Sequence, residues 1–486
     1  MGAGRRKRPH PYGKTPWLPH AGYSWDNRSE YQSHLLWPRA KHWKEVRFCM
    51  RREDTSQPDR SSTAITTALA GVQWLFFMFA NIVVIPISIG QAFHLPPAVV
   101  TASLERAFIY TGIACILQGV VGHRLPLLEG PAGLWWGVIL SLAASTQAAG
   151  QSLQTLGGNL EAGIIISGLL ICLLGLLGAG WWLRRLFTPV VTSTFYFLLA
   201  AQLSGIFFKG MIGLTDGSTI QPGVALLSLG LVILVLALSI WGPGLVSNFT
   251  LLIGIIVGWI AFRLLFPGQS PALAPAGSAL FAIFPWGGLT ISPGIFLALV
   301  LTGLISLSNT YASLEGTEAL YSTPVSAAQY RRSFVITGFS SVVSGVFGFV
   351  PYAPYTSSLG LLRATRILGR APFLIGAVLF ILLGAIPALG QLFASLPISV
   401  GDAVLFVAYL QLFGAALDNI KGMAFSYKSI YRIATPVLFG LALMTVPPTA
   451  FNSIPAIMRT LLQNGLVMGI LVAMILEHTI RWDKQK

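Results

Sequence analysis

From Thr66 onward the chain alternates long apolar runs with short polar breaks, and the runs recur at membrane-crossing length, about 20 residues for a ~30 Å hydrocarbon layer. Fourteen spans are predicted, at 67–94, 98–122, 125–147, 161–182, 186–208, 222–241, 248–267, 293–314, 333–351, 353–367, 371–394, 399–418, 430–449 and 460–480. None shows the two-residue alternation of a barrel strand, and lipid offers no partner for backbone N–H and C=O groups, so each reads as a helix. The pattern predicts an all-α polytopic membrane protein with 14 transmembrane helices.

Two spans depart from that pattern. The third opens LPLLEGPAGLWWG, with Glu129, Gly130, Pro131 and Gly133; the tenth opens VPYAPYTSSLGLL, with Pro351, Pro354 and Gly360. Proline and glycine interrupt the helical ladder, and broken backbone is tolerated at membrane depth only where protein or a water-filled cavity satisfies it. Each break falls in the third span of a set of seven, the arrangement of a 7+7 inverted repeat whose site lies near the midplane. Seven is odd, so the second set enters the membrane in the opposite sense. The predicted organisation is a basic cytoplasmic tail over 1–62, a first repeat over 63–292 and a second over 293–486. A substrate between the breaks would meet two half-helix N-termini, with free N–H donors and positive dipole ends. Other polar groups cluster in span 8 (Ser306, Ser308, Asn309, Thr310, Tyr311, Ser313) and span 1 (Gln73, Asn81).

Composition narrows the function. With 54% hydrophobic and 10% charged residues, against about 25% charge in a typical soluble domain, a soluble enzyme is excluded. Cys49, Cys115 and Cys172 are scattered and have no CxxC spacing, so no disulfide framework, zinc site or other metal site is expected. No HExxH, GxSxG or Walker sequence occurs, which argues against an intramembrane enzyme and an ATP-driven pump, and no cofactor is expected.

Charge is distributed unevenly. Residues 1–60 hold 13 of the 31 basic and 6 of the 16 acidic residues, including RRKR at 5–8. The tail reads as a solvated extension rather than a nucleic-acid arm, the other reading being contact with anionic lipid; Met50 offers a second start for the chain. With the N-terminus inside, 14 Lys and Arg fall on the cytoplasmic side, among them Arg184, Arg185, Arg331, Arg332, Arg481, Lys484 and Lys486, against 3 outside (Lys209, Arg263, Arg459). Both termini are therefore expected in the cytoplasm. Among acids, Glu105 lies beside Arg106 in span 2, Asp402 begins span 12, and Glu315 and Glu318 follow the polar part of span 8. Glu129, directly before the span-3 break, is the favoured proton-coupling candidate.

The stretches GVQWLFFMFANIVVIP, LPLLEGPAGLWWG, LISLSNTY, YRRSFVITGF and PYAPYTSSLGLLRATR, within a match from about Gly71 to Trp482, resemble the nucleobase-ascorbate transporter family, also called nucleobase:cation symporter type 2. The likeness is strongest to purine or uracil/xanthine permeases of enteric bacteria. Of the family's span-10 signature, Gly360, Thr365 and Arg366 agree, whereas Ser357 and Ser358 occupy its first two positions. The resemblance implies a core domain of spans 1 to 4 and 8 to 11, a gate domain of spans 5 to 7 and 12 to 14, and strand-like breaks whose backbone meets the base. The family's span-8 and span-10 acids fall at Ser308 and Ser357, and its Gln-His pair at Gln73 and Trp74.

The implied activity is secondary transport of purine or related bases such as xanthine and uracil. It is expected to run by proton symport with alternating access in the bacterial inner membrane, in a lipid-embedded homodimer. The expected substrate-binding residues are Gln73, Gly133, Ser308, Asn309, Tyr355, Thr356, Ser357 and Ser358, with Trp135, Trp136, Tyr352 and Tyr355 available to stack on a flat ring. The alternative is a sulfate- or bicarbonate-like anion carrier on the same plan, which the missing acids and two dipole ends would suit.

Overall fold

In the computed structural model, the described residues are 1–2, 60–148, 150–178, 187–214, 219–243, 246, 249–269, 281–424, 426–451, 453–455, 458–459, 462–480 and 482. The chain divides into two units at Asp59/Arg60. Residues 3–59 of the predicted tail, including Cys49, and Arg184, Arg185, Arg481, Lys484 and Lys486 lie outside the described residues, and 60–62 belong to the first helix.

The second unit is almost wholly helical. Its first half contains α1 (Arg60–Ile82), α2 (Val84–Ala92), α3 (Pro97–Val120), β1 (Glu129–Pro131), α4 (Gly133–Ala148), α5 (Leu153–Leu176), α6 (Pro189–Met211), α7 (Pro222–Trp241) and α8 (Thr250–Leu265). The second contains α9 (Pro293–Tyr321), α10 (Ala327–Phe347), β2 (Tyr352–Pro354), α11 (Ser357–Thr365), α12 (Arg370–Ala385), α13 (Pro387–Ala394), α14 (Ile398–Asn419), α15 (Tyr427–Thr445) and α16 (Gly465–Thr479). Among the described residues, seven helices are long and apolar enough to cross a membrane, or eight if the bent pair α12 and α13 is one span.

Local chemistry sets the boundaries. Proline begins α3, α6, α7, α9 and α13, where its missing N–H costs no ladder bond. Ser152, Thr188 and Asn464 cap α5, α6 and α16, and Ser326 with Gln329 forms a capping box on α10. Pro86 cannot donate to the carbonyl of Ile82, which accounts for the break between α1 and α2. Pro387 likewise holds Ile386 extended (φ −101°, ψ 103°), and the chain turns by 85° where one straight span over 371–394 is predicted. Several helices extend beyond their predicted runs; α5 begins at Leu153 and α9 continues to Tyr321, where the polar side chains of Asn159 and Thr317 are buried against protein.

The packing pairs repeat between the two halves. Helix α3 lies against α12 as α10 lies against α5, and α1 meets α12 as α9 meets α5. In a second group, α6 packs on α14, α15 and α16, while α14 packs on α7 and α8. The two groups meet through α1 and α8, α2 and α14, α4 and α6, and α9 and α16.

Candidate functional site

The two predicted breaks lie side by side. Strands β1 and β2 pair antiparallel, with Glu129 opposite Pro354, Gly130 opposite Ala353 and Pro131 opposite Tyr352. Tyr355 N–H donates to the Leu128 carbonyl (2.8 Å) and Ala132 N–H to the Pro351 carbonyl (2.8 Å), so the hydrogen-bonded positions are 128, 130 and 132. Pro131 and Pro354 therefore fall where a missing N–H costs no ladder bond. A ladder this short needs outside support. Leu128 N–H donates to Ser358 Oγ (2.9 Å), and Ser313 Oγ donates to the Pro354 carbonyl (2.9 Å). Cys115 Sγ accepts from Glu129 N–H (3.3 Å) and donates to the Glu129 carbonyl (3.5 Å).

Helix α4 starts immediately after β1, and α11 after β2 with Thr356 at its N-cap. The strands run in opposite directions, so the two N-termini lie at opposite ends of the ladder and direct donor-rich, positive ends toward the middle. Gly130 is crowded on its open side. A Cβ there would lie 2.7 Å from Ile82 Cδ1 and 3.5 Å from the Tyr355 ring, whose hydroxyl donates to the Pro131 carbonyl (2.5 Å). At Gly133 a Cβ would lie 3.1 Å from the Tyr409 hydroxyl. Tyr409 packs against Phe207 (5.4 Å) and Trp136 (6.0 Å), and Trp136 Nε1 donates to Ser88 Oγ (2.8 Å). The start of α4 therefore lies beneath an aromatic wall.

The other sequence candidates are arranged differently. Glu129 is on the ladder face opposite Gly130. Its Oε1 accepts from Thr337 Oγ1 (3.2 Å) and Gln118 Nε2 (3.4 Å), and its buried Oε2 has no partner. Tyr352 also points away from Gly130, donating to the Ala107 carbonyl (3.3 Å) and accepting from Thr111 Oγ1 (3.1 Å). Trp135 is buried beside Gly303 of α9. On α9, Asn309 lies ~40° around the helix from Ser313, which touches β2, whereas Ser308 lies ~140° away. Gln73 is nine residues, roughly 13 Å, along α1 from Ile82. Gln73 Nε2, Ser308 Oγ and Ser357 Oγ are nevertheless buried without hydrogen-bond partners, an exception that a polar ligand edge would explain. Thr356 is half-buried, and Ser358 is occupied in holding Leu128.

Sequence reasoning did not identify Tyr409, Ile82 or the Gln118–Thr337 pair as parts of this arrangement. A lone amide at Gln118 in an apolar span was the available signal. Tyr409 and Ile82 look like ordinary span residues.

Seven or eight apolar helices of crossing length among the described residues are those of an integral membrane protein. Residues 65–449 match the Xan_ur_permease model, described as Permease family, and the chain belongs to this nucleobase-ascorbate transporter family. Relatives include "Putative purine permease YwdJ" of Bacillus subtilis (strain 168), 28% identical over 428 residues, covering 86% of this chain and 97% of the relative. Uric acid transporter UacT of Escherichia coli (strain K12) is 23% identical over 446 residues, 87% of each chain. Among solved structures, the transmembrane domain of a cyanobacterium bicarbonate transporter, BicA, aligns with a TM-score of 0.54 at 17% identity, covering 84% of this chain and 96% of that one. SLC26A9 aligns with a TM-score of 0.56 at 11% identity, covering 86% and 66%. These two show a shared fold.

Proposed function

We propose that the protein is a secondary active transporter of purine or related nucleobases, such as xanthine and uracil. It works by proton symport with alternating access in the bacterial inner membrane. The observation that carries this reading is the β1–β2 pair, which brings two half-helix N-termini and a crowded glycine face under Tyr355 and Tyr409. A nucleobase is flat and edged with donors and acceptors, so aromatic walls and fixed backbone groups suit it. The unpartnered Gln73 Nε2, Ser308 Oγ and Ser357 Oγ fit an uncharged polar edge. They serve as substrate-binding groups with Gly133, Asn309, Tyr355, Thr356 and Ser358. The names of relatives support the same substrate class.

In this proposal fourteen spans form two inverted repeats, 63–292 and 293–486, behind a cytoplasmic tail over 1–62, and both termini are cytoplasmic. Helices α1–α5 with α9–α13 make the core and α6–α8 with α14–α16 the gate, and the protein works as a homodimer. Glu129 carries the coupled proton. One proton driven by 100 mV provides ~2.3 kcal/mol, roughly fiftyfold accumulation at ~1.4 kcal/mol per decade.

The test is uptake of labelled xanthine by cells lacking their own permeases, challenged with excess uric acid, uracil or sulfate. Competition by the bases and not by sulfate supports the reading. Competition by sulfate alone would favour the anion carrier.

A further inference from the structure

Among the described residues, a carboxyl outside the strand site occupies α14, one of the helices through which the two packing groups meet. Asp402 lies in the second turn of α14 and is 4% exposed. It enters a slot on α6 left by Gly210, where any Cβ would overlap Asp402 Oδ2. No hydrogen bond or ion pair joins it to another described residue. Its neighbour Gly401 packs on Val84 of α2, in the other helix group. Tyr409, two turns along α14 (about 10 Å), covers Gly133. The acid therefore sits on the helix that touches both the start of α4 and the opposite group.

Charged neighbours do not compensate it. Helices α2 and α7 contain no titratable residue. On α6, Lys209 adjoins Gly210 but is exposed, and Tyr196 lies at the far end, roughly 21 Å along the axis. On α8, Arg263 is exposed and donates to Ser395 Oγ (2.9 Å), seven residues before Asp402. On α14 itself the other titratable groups are Tyr409 and Asp418. A lone carboxylate in an apolar slot is costly, and the inexpensive alternative is to hold a proton.

We propose that Asp402 is a second proton-binding site, separate from Glu129, whose carboxyl is neutral while α14 is seated against Gly210 and ionises when that packing opens. The site makes closure of the gate helix depend on pH. Only this consequence for transport rests on the nucleobase reading; proton binding itself does not.

Two measurements on the full chain decide the matter. The first compares unfolding of wild-type protein and Asp402→Asn in mixed micelles from pH 5 to 9. The unfolded carboxyl is ionised throughout this range, so a neutral native Asp402 releases a proton on unfolding. Wild type should lose stability relative to Asp402→Asn by tenfold in the unfolding equilibrium per pH unit, up to the pH at which the native group ionises. Parallel pH curves would overturn the proposal. Asp402→Ser, smaller than the native side chain, provides the same comparison if the asparagine variant does not fold. The second measurement is xanthine uptake at pH 8 to 9, which should fall more steeply in wild type than in Asp402→Asn; equal declines would count against the proposal. Failure of wild type to carry any base would refute the transporter reading while leaving the unfolding comparison decisive.

Discussion

Replacing Ser358 by alanine removes one oxygen from the joint between the two breaks. That oxygen accepts the Leu128 N–H at 2.9 Å, and both residues are 0% exposed. The N–H would remain buried without a partner, which costs about 1–3 kcal/mol, or roughly 5- to 150-fold in the unfolding equilibrium. Ser313→Ala is the matched control. It removes the donor to the Pro354 carbonyl, and losing one neutral hydrogen bond to a carbonyl costs about 0.5–1.5 kcal/mol. Unfolding of the purified protein in mixed micelles should therefore rank wild type above Ser313→Ala and Ser313→Ala above Ser358→Ala. Ser358 also fixes the start of α11, so its loss should raise the KM for base uptake more than it lowers the amount of protein in the membrane. If Ser358→Ala is as stable as wild type, the joint is not holding the breaks together.

Further substitutions probe the surroundings of the ladder. Glu129→Gln should leave the protein in the membrane and weaken the pH dependence of uptake; an unchanged pH profile would exclude Glu129 as the coupling group. Gly133→Val puts a branched side chain where even a Cβ lies 3.1 Å from the Tyr409 hydroxyl, and base affinity should fall at least tenfold with expression retained. Wild-type affinity in Gly133→Val would show that substrate binds elsewhere. His123 is fully buried, its Nδ1 accepts Leu125 N–H (3.0 Å), and burial pushes the imidazole down to about 3. The folded ring is neutral while the unfolded one gains a proton below about 6.5, so stability is full above that pH and falls by ~1.4 kcal/mol per unit as pH drops toward 3. Asn at 123 can accept the same i+2 N–H without titrating, so His123→Asn should flatten the acid limb of the unfolding curve; an identical acid limb would contradict this.

The breaks were legible in sequence because proline clustered with glycine interrupts the helical ladder, and both clusters coincide with the paired strands β1 and β2. Their register was not. Three-residue strands carry too little alternation to say which way Glu129 points, so a residue adjoining the break in sequence proves to face Gln118 and Thr337 behind it. Helical phase hides a similar distinction between Ser308 and Asn309: both belong to one polar run, but the contact of Ser313 with β2 brings Asn309 closer to the ladder-facing side. Apolarity located the seven long apolar helices, yet it does not say where a helix begins. It missed the first eight residues of α5, which bury Asn159 against protein, and it could not separate α12 from the short α13 turned through 85° at Pro387. Tyr409 reaches Gly133 from 276 residues away in the chain, a relation carried by the packing of α14 and by no local pattern.

The most direct test of the paired-break carrier is accumulation of labelled xanthine by liposomes containing the purified protein under an imposed inward proton gradient. The account predicts uptake to an internal concentration above the external one, collapse on adding a protonophore, and loss in Gly133→Val while that variant remains folded. Unchanged accumulation by Gly133→Val, or gradient-driven movement of sulfate with no movement of any base, would contradict it.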